Sequence, residues 1–333
     1  MDVLPDRAAR AEFPVGERQL IMKKLIINHD RLKEARDAFA RFHFPVVGGV
    51  ADSGSISLVM GDSRTGKTFG AKSYLGGFPQ RPGERGMIYP ALLVEMPASG
   101  GYRAILENLA DAMSIAHTLR MNNSVLTNNI LRGLEFHEVE LLIFDEVQDV
   151  CDIKNPRLAS DFKRLMRKIL NLEKASIVCI GLPETYGLLS SDKQLVGRGG
   201  LQYAFLHPYS WDSDEERKSF RLLCDQFDEG MPFLNKSSLG ATATAERLHW
   251  VSQGIIGLLK NFLFIAGSLA INDGSIHVDT THLAQAYDWI KPPQTSFNPF
   301  RDDWSKKPDT VVTTAPLTTH DPFAKRKRSA HAQ

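Results

Sequence analysis

Cysteine is scarce in this chain. The 333 residues hold three, Cys151, Cys179 and Cys224, far apart and in no Cys-x-x-Cys or Cys/His spacing. That excludes a disulfide framework and a zinc site of the usual ligand spacing, and leaves buried thiols as the reading. A long apolar run is missing too. The most apolar stretch, Ile255 to Ile271, is broken by Gly257, Lys260, Asn261 and Gly267, which suits a buried helix better than a membrane span. The first residues, Met1-Asp2-Val3-Leu4-Pro5-Asp6, are charged and lack the apolar core of a signal peptide, so the expectation is a cytoplasmic protein with no membrane partner. Nor is there an excess of charge, since 40 Lys and Arg stand against 39 Asp and Glu. Any contact with nucleic acid therefore has to come from local patches. With 43% hydrophobic residues the chain buries a full core, enough for two compact units plus tails.

What is present is the stretch Gly61-Asp62-Ser63-Arg64-Thr65-Gly66-Lys67-Thr68, placed between the apolar-rich run Ile56 to Met60 and a helical-looking segment, Phe69 to Leu75. The spacing G-x-x-x-x-G-K-[ST] is the one a triphosphate demands. Its glycines let the backbone curl so that successive N–H groups point at phosphate oxygens, and the following helix adds its N-terminal donors. Lys67 is expected to reach the β- and γ-phosphates, and the Thr68 hydroxyl to ligate Mg²⁺. Hydrolysis also needs a carboxylate for the metal and a base for the water. Leu141-Leu142-Ile143-Phe144-Asp145-Glu146 supplies both: a buried strand carries Asp145 toward Mg²⁺ and Glu146 toward the attacking water. A third strand, Ile177 to Gly181, runs into Leu182-Pro183-Glu184-Thr185, and Gln194-Leu195-Val196-Gly197-Arg198 follows. Arg198 stands where an arginine can neutralise transition-state charge on a neighbouring subunit's nucleotide.

Between these motifs, strands and helices alternate at lengths that predict a parallel sheet covered on both faces. The expected elements include helices over Asp30 to Phe42, Tyr102 to Met113, Val125 to Leu134 and Ala159 to Leu172, and a strand over Tyr89 to Met96. After His207 the pattern turns all-helical, with helices over Asp212 to Phe227, Ala243 to Leu269 and Asp279 to Ile290. From Lys291 onward, recurrent Pro, Thr and Asp predict disorder. The expected division is an N-terminal helical extension over 1–45, a nucleotide-binding domain over 46–206, a helical lid over 207–290 and a disordered basic tail over 291–333.

The motif order, together with Ile180-Gly181-Leu182-Pro183-Glu184, Gln194-Leu195-x-x-Arg198 and the phrase Gln253-Gly254-Ile255-Ile256-Gly257-Leu258-Leu259, resembles the TniB/TnsC family of AAA+ transposition ATPases across about Phe42 to Tyr287. The fold class this implies is α/β, a P-loop AAA+ domain with a parallel sheet covered by helices, plus a small all-helical lid. The resemblance also implies ATP and Mg²⁺ as cofactors, and assembly on double-stranded DNA as a ring or helical filament of copies of the chain. A transposase and a target-selection protein of the TniQ type are the further partners it implies, with slow ATP hydrolysis ending the assembly. By the same resemblance, pore-lining loops meet DNA, which points to Arg103, Arg120 and Asn122. Basic residues at 154, 157, 163, 164, 167 and 168 are further candidates, and the cluster Lys325 to Arg328 has three readings, phosphate contact, partner docking or a solubilising tail, of which docking on the transposase is preferred. Two positions depart from the family pattern. Leu182 stands where a polar phosphate sensor is common, with Thr185 as its replacement, and the phrase Gly254 to Leu259 carries no arginine. The competing readings are a replication initiator or helicase loader of the same fold, and a small-molecule kinase or signalling NTPase built on the same loop.

Overall fold

The computed structural model describes residues 6–99, 101–150 and 156–308. In chain order the helices are α1 (Arg7–Glu12), α2 (Val15–Lys24), α3 (Asp30–His43), α4 (Lys67–Leu75), α5 (Gly101–Ala112), α6 (Asn123–Phe136), α7 (Pro156–Leu170), α8 (Thr185–Ser190), α9 (Lys193–Val196), α10 (Asp214–Gly230), α11 (Thr242–Ser252), α12 (Ile256–Asn272) and α13 (Thr280–Ile290). The strands are β1 (Ile56–Gly61), β2 (Arg81–Pro82), β3 (Met87–Ile88), β4 (Ala91–Glu95), β5 (Leu141–Asp145), β6 (Ser176–Gly181) and β7 (Gln202–Leu206). The described residues form two compact units, one from Arg31 to Leu206 and one joining the segment up to Asp30 with the segment from His207 onward.

The first unit is built on a five-stranded sheet in the order β4-β5-β6-β1-β7, every pair parallel. Strands β1, β5 and β6 are buried along their whole length, because helices cover both faces. The two-residue period divides their side chains cleanly. Leu58, Met60, Leu142, Phe144, Ile177 and Cys179 meet α5, α6 and α7 on one face. Val59, Leu141, Ile143, Val178 and Ile180 meet Ala35, Ala38, Phe39 and Phe42 of α3 on the other. Edge strand β7 pairs only with β1 and is half-exposed, a pattern too weak to stand out in the sequence.

At the end of α3, His43 is fully buried, its Nδ1 3.0 Å from the Tyr74 hydroxyl and its Nε2 3.4 Å from a Glu140 carboxylate oxygen. Burial pushes its pKa down from 6.5 to about 4. Above pH 6.5 the imidazole is neutral in both folded and unfolded chains and titration leaves stability unchanged. As pH falls from 6.5 to 4 the unfolded chain takes the proton first, so this residue should cost up to about 3 kcal/mol of stability in that window. His43→Gln is expected to flatten that part of the profile. Urea midpoints of both proteins at pH 7 and pH 5 check it, and parallel slopes would refute it.

The second unit is all helical. Its core joins Met22 and Leu25 from the N-terminal segment to Phe220, Phe227, Leu248, Phe262, Leu263 and Tyr287. Arg7 donates to the Asp228 and Asn235 carbonyls at 2.5 and 2.9 Å, and buried Arg10 to the Glu229 carbonyl at 2.5 Å. The expected N-terminal extension is therefore corrected: α1 and α2 are core elements of the helical unit, while α3 from Arg31 onward belongs to the sheet unit. The disordered tail is corrected as well over residues 291–308. Buried Asn298 donates to the Ala284 carbonyl at 2.9 Å, and Phe300 stacks on Phe262 at 5.6 Å. Trp304 packs edge-on to Trp250 and lies beneath the Arg247 guanidinium. Three aromatic anchors, Phe297, Phe300 and Trp304, outweigh the surrounding Pro and Thr content. Residues 309–333, including Lys325 to Arg328, lie outside the described residues.

Within the helical unit, Gly254 has a left-handed φ of 69°, and a Cβ there would sit 1.9 Å from the Tyr209 carbonyl oxygen. Only glycine fits this close approach, which accounts for the residue in the Gln253 to Leu259 phrase. No single helix among the described residues is long and apolar enough to cross a membrane, and α11 and α12 pass that test only as a pair bent by 113°.

Candidate functional site

The C-terminal ends of β1, β5 and β6 bring the first cluster together. Between β1 and α4 the loop turns at Gly61 and again at Gly66, with φ values of 157° and 95°. A Cβ on Gly61 would lie 2.5 Å from the Leu206 carbonyl oxygen at the end of β7, so the glycine is what lets the loop start against its neighbouring strand. Thr65 ties the loop internally, its hydroxyl donating to the Asp62 carbonyl at 2.8 Å. Ser63 and Arg64 are exposed at its rim, Arg64 with a left-handed φ of 65°.

Lys67 is folded into this loop. Its ammonium donates to the carbonyls of Gly61 and Asp62, both at 2.7 Å, and its side chain is buried. Burial lowers its pKa, against the opposing pull of Glu146, Asp145, Asp62 and Glu184. A desolvated cation ringed by carboxylates is primed for an anionic ligand that is a better partner than two neutral carbonyls.

Asp145 ends β5 and is buried. Burial raises its pKa, while hydrogen bonds from the Thr68 side chain and from the Glu146 N–H, the latter at 2.9 Å, pull it back down. Thr68 and Asp145, 77 positions apart in the sequence, are thus in direct contact. Two hard oxygen donors beside this loop are a donor set that would fit Mg²⁺.

Glu146 follows in a left-handed conformation, φ 56°, half-buried. Gln148 holds it. The Gln148 amide nitrogen donates to a Glu146 carboxylate oxygen, and its amide oxygen accepts from the Leu182 N–H at 3.2 Å. Nothing in the sequence spacing of Gln148 and Leu182, 34 positions apart, signals this link between the β5 and β6 ends. Leu182 takes part through its backbone alone. Thr185 is fully buried and its hydroxyl has no partner among the described residues, so it does not open toward the loop as a polar sensor would.

Arg198 lies elsewhere. It follows α9 in the connection that returns the chain to the start of β7, and its guanidinium rests on the Leu170 carbonyl at 3.4 Å and on the Asn171 side-chain oxygen. Gly54, just before β1, is its neighbour. This is the N-terminal edge of a parallel sheet whose C-terminal edge carries Lys67, Thr68, Asp145 and Glu146. The two edges are separated by a strand's length, roughly 15–20 Å.

Of the DNA-contact candidates, Arg103 spends its donors on the protein. It bonds Glu107 at 2.8 Å, the Met121 carbonyl at 2.5 Å and the Thr118 carbonyl at 2.9 Å. Asn122 caps α6 by accepting from the Val125 N–H at 2.9 Å. Both hold the loop between α5 and α6 in shape, and Arg120 stands exposed on it. Lys154 lies outside the described residues.

Residues 23–205 match the family model of the bacterial TniB protein. No curated protein matches the chain. Among solved structures, Orc1 of Aeropyrum pernix in complex with DNA is similar at a TM-score of 0.59 and 16% identity, covering 82% of this chain and 69% of that one. Cdc6p from Pyrobaculum aerophilum is similar at 0.58 and 15%, covering 81% and 70%. The Aeropyrum pernix Orc2 protein, solved as ADPNP-ADP complexes, is similar at 0.58 and 14%, covering 82% and 71%. At these identities the likeness establishes the fold: an AAA+ P-loop domain with a parallel five-stranded sheet and a helical C-terminal region. The family match spans more than half of the chain and takes in every motif residue from Gly61 to Arg198, so the chain belongs to the bacterial TniB family.

Proposed function

We propose that this protein is an ATP-hydrolysing regulator of DNA transposition that assembles as a ring or filament on duplex DNA and comes apart when it hydrolyses ATP. The observation that carries the reading is the separation of one chemistry onto two edges of one sheet. Lys67, Thr68, Asp145 and Glu146 converge on one edge, and Arg198 stands on the other, out of reach of its own chain's loop. A complete site then takes two copies of the chain, which makes nucleotide and assembly interdependent.

In this reading the backbone N–H groups from Gly61 to Gly66 and the start of α4 hold the phosphates. Lys67 exchanges its two carbonyl partners for phosphate oxygens. Thr68 and Asp145 hold Mg²⁺, which when bound supplies charge neutralisation to the phosphates. Glu146 takes the proton of the attacking water. Gln148 restrains that carboxylate until the β6 end shifts, and Leu182 offers no polar side chain there, so hydrolysis is slow and acts as a timer. The family match supports transposition over replication initiation, which shares the fold. Duplex DNA is held through phosphate contacts from Arg120 and neighbouring basic residues. The solved Orc1 relative in complex with DNA and the Drosophila ORC bound to DNA support this choice of ligand by analogy of fold. A transposase and a TniQ-type target-selection protein are the partners the family implies.

The test is particle size with and without ATP and duplex DNA, by light scattering and negative-stain imaging. Assembly requiring both ligands, with affinity falling steeply as salt rises, is the expected result. A single-chain particle under all conditions would overturn the reading.

A further inference from the structure

In the helical unit a cavity of about 570 Å³ opens along the outer face of α10, with Thr242 at the start of α11 on its border. Trp211 and Leu222 give it apolar surface, and Arg217, Lys218 and Arg221 set three cations against the carboxylates of Asp214 and Asp225. The core does not require this face. α10 buries Phe220, Leu223, Cys224 and Phe227 on its other side, whereas Leu222 is 54% exposed and the three cations are exposed with it. From Asp214 to Asp225 the lining residues recur at spacings of three and four, which puts them in one stripe about 16 Å long. Arg217 and Lys218 stand four and three residues from Arg221, spacings at which like charges destabilise a helix. Tryptophan and arginine side by side are the residue types that carry most of the binding energy in protein interfaces.

The stripe is held in shape. The half-buried Trp211 ring packs on Phe220 at 6.0 Å and on His249 at 5.2 Å, and its carbonyl accepts from the Arg217 Nε at 2.6 Å. Arg217 also meets Asp214 at 3.2 Å, and the Arg221 Nε donates to the Gly240 carbonyl at 2.9 Å. At the far end Asp225 lies against Gly240, where a Cβ would come within 2.3 Å of the carboxyl group. Both guanidinium groups are thus in place before a partner arrives, which lowers the entropy cost of binding.

The order of charge along the stripe selects the occupant: negative at 214, positive at 217, 218 and 221, negative at 225. Duplex DNA would press phosphates on both carboxylates as well as on the cations. A second copy docked by a two-fold axis at the middle of the stripe would set Lys218 against Arg221 and Asp214 against Asp225, like charge on like. The chain's own residues 309–333 carry Lys325 to Arg328 against Asp309 and Asp321, and would add positive charge to a positive centre. A helix with carboxylates at its middle and an apolar side chain among them is complementary in both charge and surface.

We propose that this face of α10 docks an acidic amphipathic helix of another protein, its carboxylates meeting Arg217, Lys218 and Arg221 and one apolar side chain seated on Trp211 and Leu222. The contact needs neither nucleotide nor a second copy of the chain, so it stands apart from the reading of the Gly61 to Thr68 loop. A display library of helical peptides about 16 residues long, varied on one face, is panned against the full chain without nucleotide. Enriched sequences should carry Asp or Glu beside one Leu, Phe or Trp at helical spacing. Lys218→Glu/Leu222→Ser should weaken the best acidic peptide at least about tenfold by fluorescence anisotropy. Its melting temperature should match wild type, because both side chains are exposed. Exchanging Glu for Lys in that peptide should recover binding to Lys218→Glu, which separates lost charge from lost folding. A selection without acidic peptides would overturn the proposal, as would an acidic peptide that binds the double variant as well as wild type, or no recovery on charge exchange. So would unchanged peptide binding by a double variant with weaker duplex DNA affinity or smaller particles in ATP and DNA, which would assign the face to DNA or to a second copy.

Discussion

Lys67→Ala is expected to abolish ATP-dependent assembly on DNA. The ammonium is buried, hydrogen-bonded at 2.7 Å to two carbonyls of the loop it serves, and surrounded by Glu146, Asp145, Asp62 and Glu184. Removing it leaves those carboxylates facing the phosphates with no cation between. A charge-assisted hydrogen bond is worth about 1.5–3 kcal/mol, so nucleotide affinity should fall about tenfold to a hundredfold. On the proposed reading each contact between copies depends on a filled site, so the loss multiplies along an assembly and the particle should stay small. Folding should survive, because the substitution removes a desolvated charge together with the two hydrogen bonds that hold it to the Gly61 and Asp62 carbonyls. Light scattering with ATP and duplex DNA, beside a melting curve, checks this. Wild-type particle size from a chain that no longer binds nucleotide would break the link between nucleotide and assembly.

Glu146→Gln should do the reverse and leave the assembly trapped on DNA. The substitution preserves shape and keeps a partner for the Gln148 amide, so the loop, Thr68 and Asp145 stay in place. What the proposed mechanism would lose is its base, and general-base catalysis contributes about 10²–10⁴ in rate. Phosphate release in a single turnover should drop by that factor, and the lifetime of the DNA complex after addition of competitor DNA should lengthen in proportion. A variant that hydrolyses normally would remove Glu146 from the role of base. One that hydrolyses slowly but leaves DNA as fast as wild type would show that disassembly does not wait for hydrolysis.

Much of this site can be read in the sequence because its parts are local. The candidate loop from Gly61 to Thr68 is one contiguous segment, so its residue spacing already decides which backbone groups lie together. The apolar run before Asp145 declares a buried strand by composition, and the strand's end carries the two carboxylates to the sheet edge. What composition misjudged was equally physical. Residues 291–308 are rich in Pro and charge, yet Asn298, Phe300 and Trp304 supply enough burial and hydrogen bonding to order them. The segment before Asp30 is polar on average, but Met22 and Leu25 suffice to seat it in the helical core.

The sequence by itself determined the make-up of the candidate nucleotide site, the loop from Gly61 to Thr68 and the strand-end pair Asp145 and Glu146, and which family the order of motifs resembles. Only the tertiary structure decided that Thr68 touches Asp145, that Gln148 ties Glu146 to the end of β6, and that Arg198 faces away from its own loop. The reason is the range of the forces involved. Backbone conformation and hydrophobic period act over a few residues and leave a trace in spacing. The pairing of parallel strands across long crossovers sets which ends meet, and that pairing is spread over the whole sheet.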